Sequence, residues 1–218
     1  MARLEKKVLG DLVGRVGNIV GKVRNGKYYI ASRPSQYTMS MAPHEVAKRG
    51  RFKVNGQFAR IIKQTEPLYH IWDREKAPAT SAYNKICKIN FRLCRPERPS
   101  AENVITPPGF KLPVTKVSPK NDGIEVTLDV FELLETEKVL RFILIISFYN
   151  PTAKQSNYYE ICRIVNYEME ELKLTFSYGS YERKLAEHYQ NKTIYLAAVT
   201  EDGSGHIIRW TDTYAEDF

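Results

Sequence analysis

Along residues 14–34 the apolar positions fall into two short β-prone runs, Val16, Ile19, Val20 and Val23 and then residues 28–31, set around Asn25-Gly26. Asn-Gly between such runs is a strong hairpin signal, because both central residues of a type I′ turn need positive φ. A hairpin is therefore expected here. Gly14, Gly17 and Gly21 sit in its first strand, where glycine weakens pairing unless a bulge or a close neighbour requires it, so the ribbon should be bent or tightly packed. A lone hairpin is marginal in water and must rest on the helices that follow or on another molecule. Beyond it, Pro43 suits a first helical turn, and Val46, Phe52, Val54, Phe58, Ile61 and Ile62 give an apolar face reaching about Gln64. Gly50 and Gly56 each cost about 1 kcal/mol against alanine inside a helix, which predicts a kink or a break. Residues 68–73 predict a short apolar turn or helix. Thr80 or Ser81 then caps a helix carrying Ala82, Tyr83, Ile86, Cys87, Ile89, Asn90 and Leu93, with Cys87 and Cys94 seven apart and so on one face.

Residues 95–113 hold Pro96, Pro99, Pro107, Pro108 and Pro113, a stiff linker by composition. Strand-like runs follow at 112–117, 123–130, 140–149, 158–165, 172–178, 193–199 and 205–212, with turn signals at Asn121-Asp122-Gly123, Asn150-Pro151 and Asp202-Gly203 and a short helix at 181–189. The near-continuous apolar run 140–148 reads as a central strand covered on both faces. About seven short strands with this spacing predict an immunoglobulin- or fibronectin-III-like β-sandwich, and the missing Cys, Trp, Cys pattern removes the antibody-type subclass. The expected fold is α+β: a hairpin-plus-helices module over 1–98, a linker over 99–113 and a sandwich over 114–218.

Charge sharpens this division. Residues 1–98 carry 21 Lys and Arg against 7 Asp and Glu, and residues 99–218 carry 12 against 18. A basic head and an acidic tail attract oppositely charged partners. The 218 residues, 43% hydrophobic and 27% charged, suit an ordinary globular protein. No signal-peptide or bilayer-length apolar run is found, and three cysteines (Cys87, Cys94, Cys162) fit a reducing compartment, so a cytoplasmic, membrane-free protein is expected.

Motifs for chemistry are missing. There is no phosphate-binding loop, dinucleotide fingerprint, H-E-x-x-H, G-x-S-x-G or C-x-x-C. His44, His70, His188 and His206 are scattered, without metal-ligand spacing, and read as structural or surface groups. Glu168, Glu170 and Glu171 read as a solvated turn, and the sequon at Asn191 has no meaning without secretion. No catalytic residue, cofactor or metal is expected. Basic residues interleaved with aromatics are the better lead: Arg15, Lys22, Arg24, Lys27, Tyr29 and Arg33 on the hairpin, and Lys48, Arg49, Arg51 and Lys53 around Phe52 on the first helix. Such a mixture can neutralise phosphates and stack bases, can meet an acidic protein, or can simply coat a folded core.

The hairpin sequence, the KRGRFKVNGQF helix and the later TSAYN resemble an uncharacterised family from Bacteroidota, a domain of unknown function. Gly14, Gly17, Gly21, Gly26, Tyr29, Arg33, Pro34, Arg49, Phe52, Thr80 and Asn84 carry the resemblance, which covers about the first 90 residues. It implies a glycine-rich hairpin, a basic helix and a β-rich end, and it lends no activity. Taken together, the sequence predicts a non-enzymatic structural or interaction protein whose basic module meets acidic protein surfaces or copies of itself. The alternative is a sequence-tolerant nucleic-acid binder using the same basic residues. A third class, a hydrolase or transferase with its site in a cleft between the halves, has Asp73, His70 and Glu75 as first candidates.

Overall fold

The computed structural model describes residues 2–3, 13–24, 26–33, 36, 38–76, 79, 81–130, 132–150, 158–167 and 173–218. The chain divides into two compact units, Met1–Ala42 and Pro43–Phe218. In the first, β1 (Ala2–Arg3), β2 (Gly14–Val16), β3 (Ile19–Arg24) and β4 (Lys27–Ser32) form an antiparallel sheet of order β1-β4-β3-β2. The expected hairpin is β3–β4, closing with Arg24 opposite Lys27 and Gly26 at φ +70°. A second two-residue turn precedes it. Val16 pairs with Ile19 across Gly17-Asn18, and Gly17 takes φ +59°, so the single glycine-rich strand expected over 14–24 is folded back on itself.

The second unit begins with α1 (Pro43–Gln64), continuous through both glycines. The expected break does not occur, because these glycines serve packing instead of flexibility. A Cβ on Gly50 would lie 2.6 Å from the Pro96 carbonyl oxygen, and one on Gly56 would lie 3.2 Å from the Tyr83 hydroxyl. Next comes α2 (Glu66–Arg74), started by Pro67 in its first turn, and then α3 (Ala82–Asn90), where Ser81 Oγ accepts from the Asn84 amide. Thr80, the other expected cap, lies outside the described residues. Because α3 ends at Asn90, Cys94 is not on its face with Cys87. It sits in the following turn, buried beside Asn103 and Asn55.

The strands expected from the sequence form two sheets. β5 (Val114–Pro119), β6 (Gly123–Leu128) and β9 (Lys173–Ser177) make one, in the order β5-β6-β9. β7 (Val139–Tyr149), β8 (Tyr158–Tyr167), β10 (Asn191–Glu201) and β11 (Ile207–Trp210) make the other, in the order β11-β10-β7-β8, with β12 (Tyr214–Asp217) also on β10. The helix expected over 181–189 is α4 (Ser180–His188). Side chains alternate across the central sheet. Phe142, Leu144, Ile146 and Phe148 of β7 meet the three-stranded sheet and α4, while Ile143 and Ile145 meet the helices through Phe58, Ile62, Ile71 and Trp72. The central strand is covered on both faces, as its unbroken apolar run predicts. The unit is thus a mixed α+β body of three layers: helices, a five-stranded sheet, and a three-stranded sheet with α4.

Residues 99–113 are not a free linker. Ile105 is fully buried, and the segment is stitched on both sides: Trp72 Nε1 donates to Ile105 O (2.8 Å), Tyr195 Oη to Ser100 O (2.8 Å), and Asn103 Nδ2 to Asn90 Oδ1 (2.8 Å). It docks where the last strand is interrupted. Three residues, Thr211 to Thr213, oppose two on β10, a bulge whose Thr213 Oγ1 accepts from the amides of Ile105 (2.9 Å) and Thr106 (3.0 Å). The division of the chain falls at Ala42/Pro43 and not in 99–113, since the prolines there shape a packed crossing. Among the described residues, no helix is long and apolar enough to cross a membrane.

Candidate functional site

Directly opposed residues of an antiparallel pair share a face, and successive residues alternate. In the N-terminal sheet the rows Arg15, Val20, Ala31; Lys22, Tyr29; and Arg24, Lys27 therefore lie on one face. The rows Val16, Ile19, Ser32; Gly21, Ile30; and Val23, Tyr28 lie on the other. The register gathers five of the expected hairpin residues, Arg15, Lys22, Arg24, Lys27 and Tyr29, on one side of the sheet. The four cationic side chains are exposed and Tyr29 is half-buried; Arg15 Nε also donates to Gly17 O (3.1 Å), bracing the first turn. Arg33 is exposed just beyond β4, with its amide bonded to Asn18 O (2.7 Å). Pro34 and Asn25 lie outside the described residues.

The helix residues of the same expectation lie in the other unit and play mixed parts. Lys48 is exposed 3.8 Å from Glu45, and Lys53 is exposed next in sequence to Phe52, a residue 72% exposed. Arg49 is half-buried. Arg51 turns toward the core-facing stripe, where its Nε donates to Cys94 O (2.9 Å), so it holds the turn after α3 instead of offering a free charge.

A concave site lies within the second unit. A cleft of about 370 Å³ opens between α2, the ends of β7 and β10, and the turn before β11. Glu66, His70 and Arg74 recur every fourth residue, so one face of α2 lines it, while Leu68, Ile71 and Trp72 point into the core. The floor is Arg141 and Glu201, on the helix-facing side of the central sheet, with Arg141 Nη2 donating to Glu201 Oε2 (3.0 Å). Arg74 Nη1 donates to Ile207 O (3.0 Å). His206 is presented by a turn built on Asp202, whose Oδ1 accepts from the amides of Ser204 and His206. Those backbone bonds, the one from His206 first, hold the Asp202 carboxyl below its ordinary value.

Of the three residues suggested for an interdomain enzyme, only His70 reaches this cleft. Asp73 is exposed, and its carbonyl accepts from Lys85 Nζ (2.7 Å), while Glu75 ends α2. No local signal marks Arg141 and Glu201, which stand 60 residues apart and meet only through the β7–β10 register. No family model and no curated protein matches this chain.

Other polar clusters are structural. Glu137 is buried, with Oε1 accepting from Arg209 Nε (2.6 Å) and Thr200 Oγ1 (2.7 Å), and Oε2 from Arg209 Nη2 (2.7 Å) and the Leu134 amide (2.7 Å). The Arg209 bonds, more than burial opposes them, lower the Glu137 carboxyl to about 2. This clasp fastens the loop before β7 to the last strands, and Arg209 also covers the Phe110 ring at 4.7 Å. Burial pushes the Cys87 thiol up, the opposite of what a nucleophilic cysteine needs. Cys162, Glu168, Glu170 and Glu171 carry no described side chain. Among the described residues no group of three or more His, Cys, Asp or Glu is placed to hold a metal ion.

Proposed function

We propose that this is a non-enzymatic interaction protein whose N-terminal sheet recognises an acidic protein surface. The single observation behind this reading is the strand register that collects Arg15, Lys22, Arg24 and Lys27 around Tyr29 on one face. Arginine and tyrosine are favoured in protein interfaces, and a one-signed face steers an oppositely charged partner toward it. The charge distribution argues for a different protein over a second copy. Residues 1–42 hold 8 Lys and Arg against 2 Asp and Glu, whereas the acidic residues of 99–218 share a unit with the basic stretch 43–98, which carries 13 against 5. Most of the acidic tail's field is therefore offset inside its own unit.

We also propose that the two sheets are an immunoglobulin- or fibronectin-III-like sandwich. Strand orders β5-β6-β9 and β11-β10-β7-β8 match A-B-E and G-F-C-C′, the pattern of such modules. That architecture is a scaffold and does not by itself assign a function. The motif residues in the hairpin and first helix support kinship with the Bacteroidota family on sequence alone.

A second reading, sequence-tolerant nucleic-acid binding, is favoured by Tyr29 standing directly opposite Lys22, a stacking ring beside a phosphate-seeking cation. Fluorescence anisotropy of the full chain with labelled poly-glutamate and with a labelled oligonucleotide, across a salt series, tests both. The first reading expects poly-glutamate to bind at low salt and the combined Lys22→Glu, Arg24→Glu, Lys27→Glu variant to weaken it about 10-fold or more. Oligonucleotide binding with a salt slope of about −0.9 per neutralised phosphate on a duplex, without poly-glutamate binding, replaces it with the second. Binding of neither probe at low salt overturns both.

A further inference from the structure

The cleft beneath α2 has more hydrogen-bond donors than the described residues use. Arg141 gives one nitrogen to Glu201, and its Nε is buried with no partner among the described residues. Arg74 gives one nitrogen to a backbone carbonyl. A guanidinium carries five N–H donors in a fixed fork, so both arginines keep donors unmet among the described residues. His70 and His206 stand on opposite walls and add ring nitrogens. On the acceptor side, Glu201 is committed to Arg141, Glu66, mostly exposed, lies 3.9 Å from His70, and Asp202 Oδ2 lies 3.3 Å from His206 Nδ1, leaving the Nε2 of His206 for a ligand. A site with surplus planar donors and a committed internal carboxylate is complementary to an acceptor-rich ligand.

We propose that this cleft binds a small molecule through an oxyanion group, a carboxylate or a phosphate, received by Arg74 at the mouth with His70 and His206 on either side. The volume fits a metabolite-sized ligand and not a macromolecule, and Pro67 and Ile207 supply an apolar edge for the ligand's body. Arg141 and Glu201 act below as a fixed floor. Their ion pair holds the guanidinium in place and keeps Glu201 from repelling the anion. The site lies wholly within the Pro43–Phe218 unit, so it is independent of the sheet face proposed above.

The four histidines provide an internal control, since His70 and His206 line the cleft while His44 and His188 lie on α1 and at the end of α4. Inorganic phosphate, phenyl phosphate and benzoate are titrated into the full chain up to about 10 mM, which covers weak specific ligands, and the imidazole proton signals are followed by NMR. Saturable movement of the His70 and His206 signals, with His44 and His188 still, is the expected result, and the preferred probe names the phosphate or carboxylate class. Arg74→Met is expected to weaken that binding about 10-fold or more. If Arg74→Met does not fold, His70→Gln, at an exposed position, is expected to weaken it several-fold with His206 still reporting. Still signals with all three probes, equal movement of all four histidines, or unaltered affinity in the variant that folds overturns the proposal.

Discussion

The two units of this protein use hydrophobic residues in opposite ways. In Pro43–Phe218 the apolar side chains close on themselves: Trp72, Phe58, Ile105, Phe142 and Tyr195 are fully buried, and the central sheet is covered on both faces. In the N-terminal sheet the only buried position among the described residues is Gly21, which has no side chain to pack, while Val16 and Val23 remain 58% and 47% exposed. One unit is built around a core. The other is a strand framework whose described side chains are exposed or half-buried, cationic on one face and mostly apolar on the other. Stability should be concentrated in the first and contact in the second, because burial of apolar area is the dominant favourable term in folding.

The contrast is broken most directly by truncating Ile105 in the crossing segment and Val16 on the exposed sheet. Ile105→Ala is expected to cost about 3 kcal/mol, and Val16→Ser within about 0.5 kcal/mol of zero, by urea unfolding. Equal costs would mean that the crossing is the loose linker its prolines suggested, or that the sheet has a core of its own. Glu137→Gln comes next, at about 2–3 kcal/mol, because it removes the charge from a buried carboxylate that accepts both arms of the half-exposed Arg209.

The same clasp has a pH signature. The Glu137 carboxyl ionises at about 2 in the folded chain, against an ordinary value of 4.5, so the unfolded chain takes up its proton first as pH falls. Its contribution is complete above about pH 4.5 and is lost as the pH falls toward 2, up to about 3 kcal/mol in all. Unfolding curves at several pH values should show that loss in the parent and a flatter profile in Glu137→Gln.

Gly50→Ala is the smallest of the expected losses and the most diagnostic in sign. Helix propensity alone favours alanine by about 1 kcal/mol, but a Cβ 2.6 Å from the Pro96 carbonyl oxygen must displace backbone, so a net loss of about 1–2 kcal/mol is expected by the same urea assay. A gain would return Gly50 to the role of a flexible interruption.

Much of the β architecture was legible because local signals and global packing agree. Asn25-Gly26, Asn121-Asp122-Gly123 and Asp202-Gly203 punctuate runs that do become strands, and the YERKLAEHY segment is α4. What escaped depended on partners distant in sequence. Gly17-Asn18 is a weaker turn signal than Asn-Gly and was absorbed into one long strand. Residues 211–213 look like the end of a strand, whereas they are a bulge after which β12 resumes the pairing. Prolines in 99–113 report only local stiffness and say nothing of the hydrogen bonds that bury the segment. The charge boundary near residue 98 is real, yet it runs between layers of a single unit and not between units. Of the candidate residues, Lys22, Arg24, Lys27 and Tyr29 share a face by two-residue alternation, but Arg15 joins them only through the Gly17-Asn18 turn, and the cleft's Arg141 and Glu201 emerge only once β7 and β10 are in register.

The bulge at residues 211–213 also sets an order of events in time. Ile105 and Thr106 find their hydrogen-bond partner 108 and 107 residues later in the chain. Closing so wide a loop comes with an entropy cost before any contact rewards it, and topologies rich in such distant pairings fold slowly. During synthesis the helices can form early and Ile105 can meet Trp72, but the amides of Ile105 and Thr106 must wait for their acceptor until Thr213 has left the ribosome. The last step in making this unit is therefore the capture of its middle by its end, and that interval is when the nascent chain is most open to aggregation.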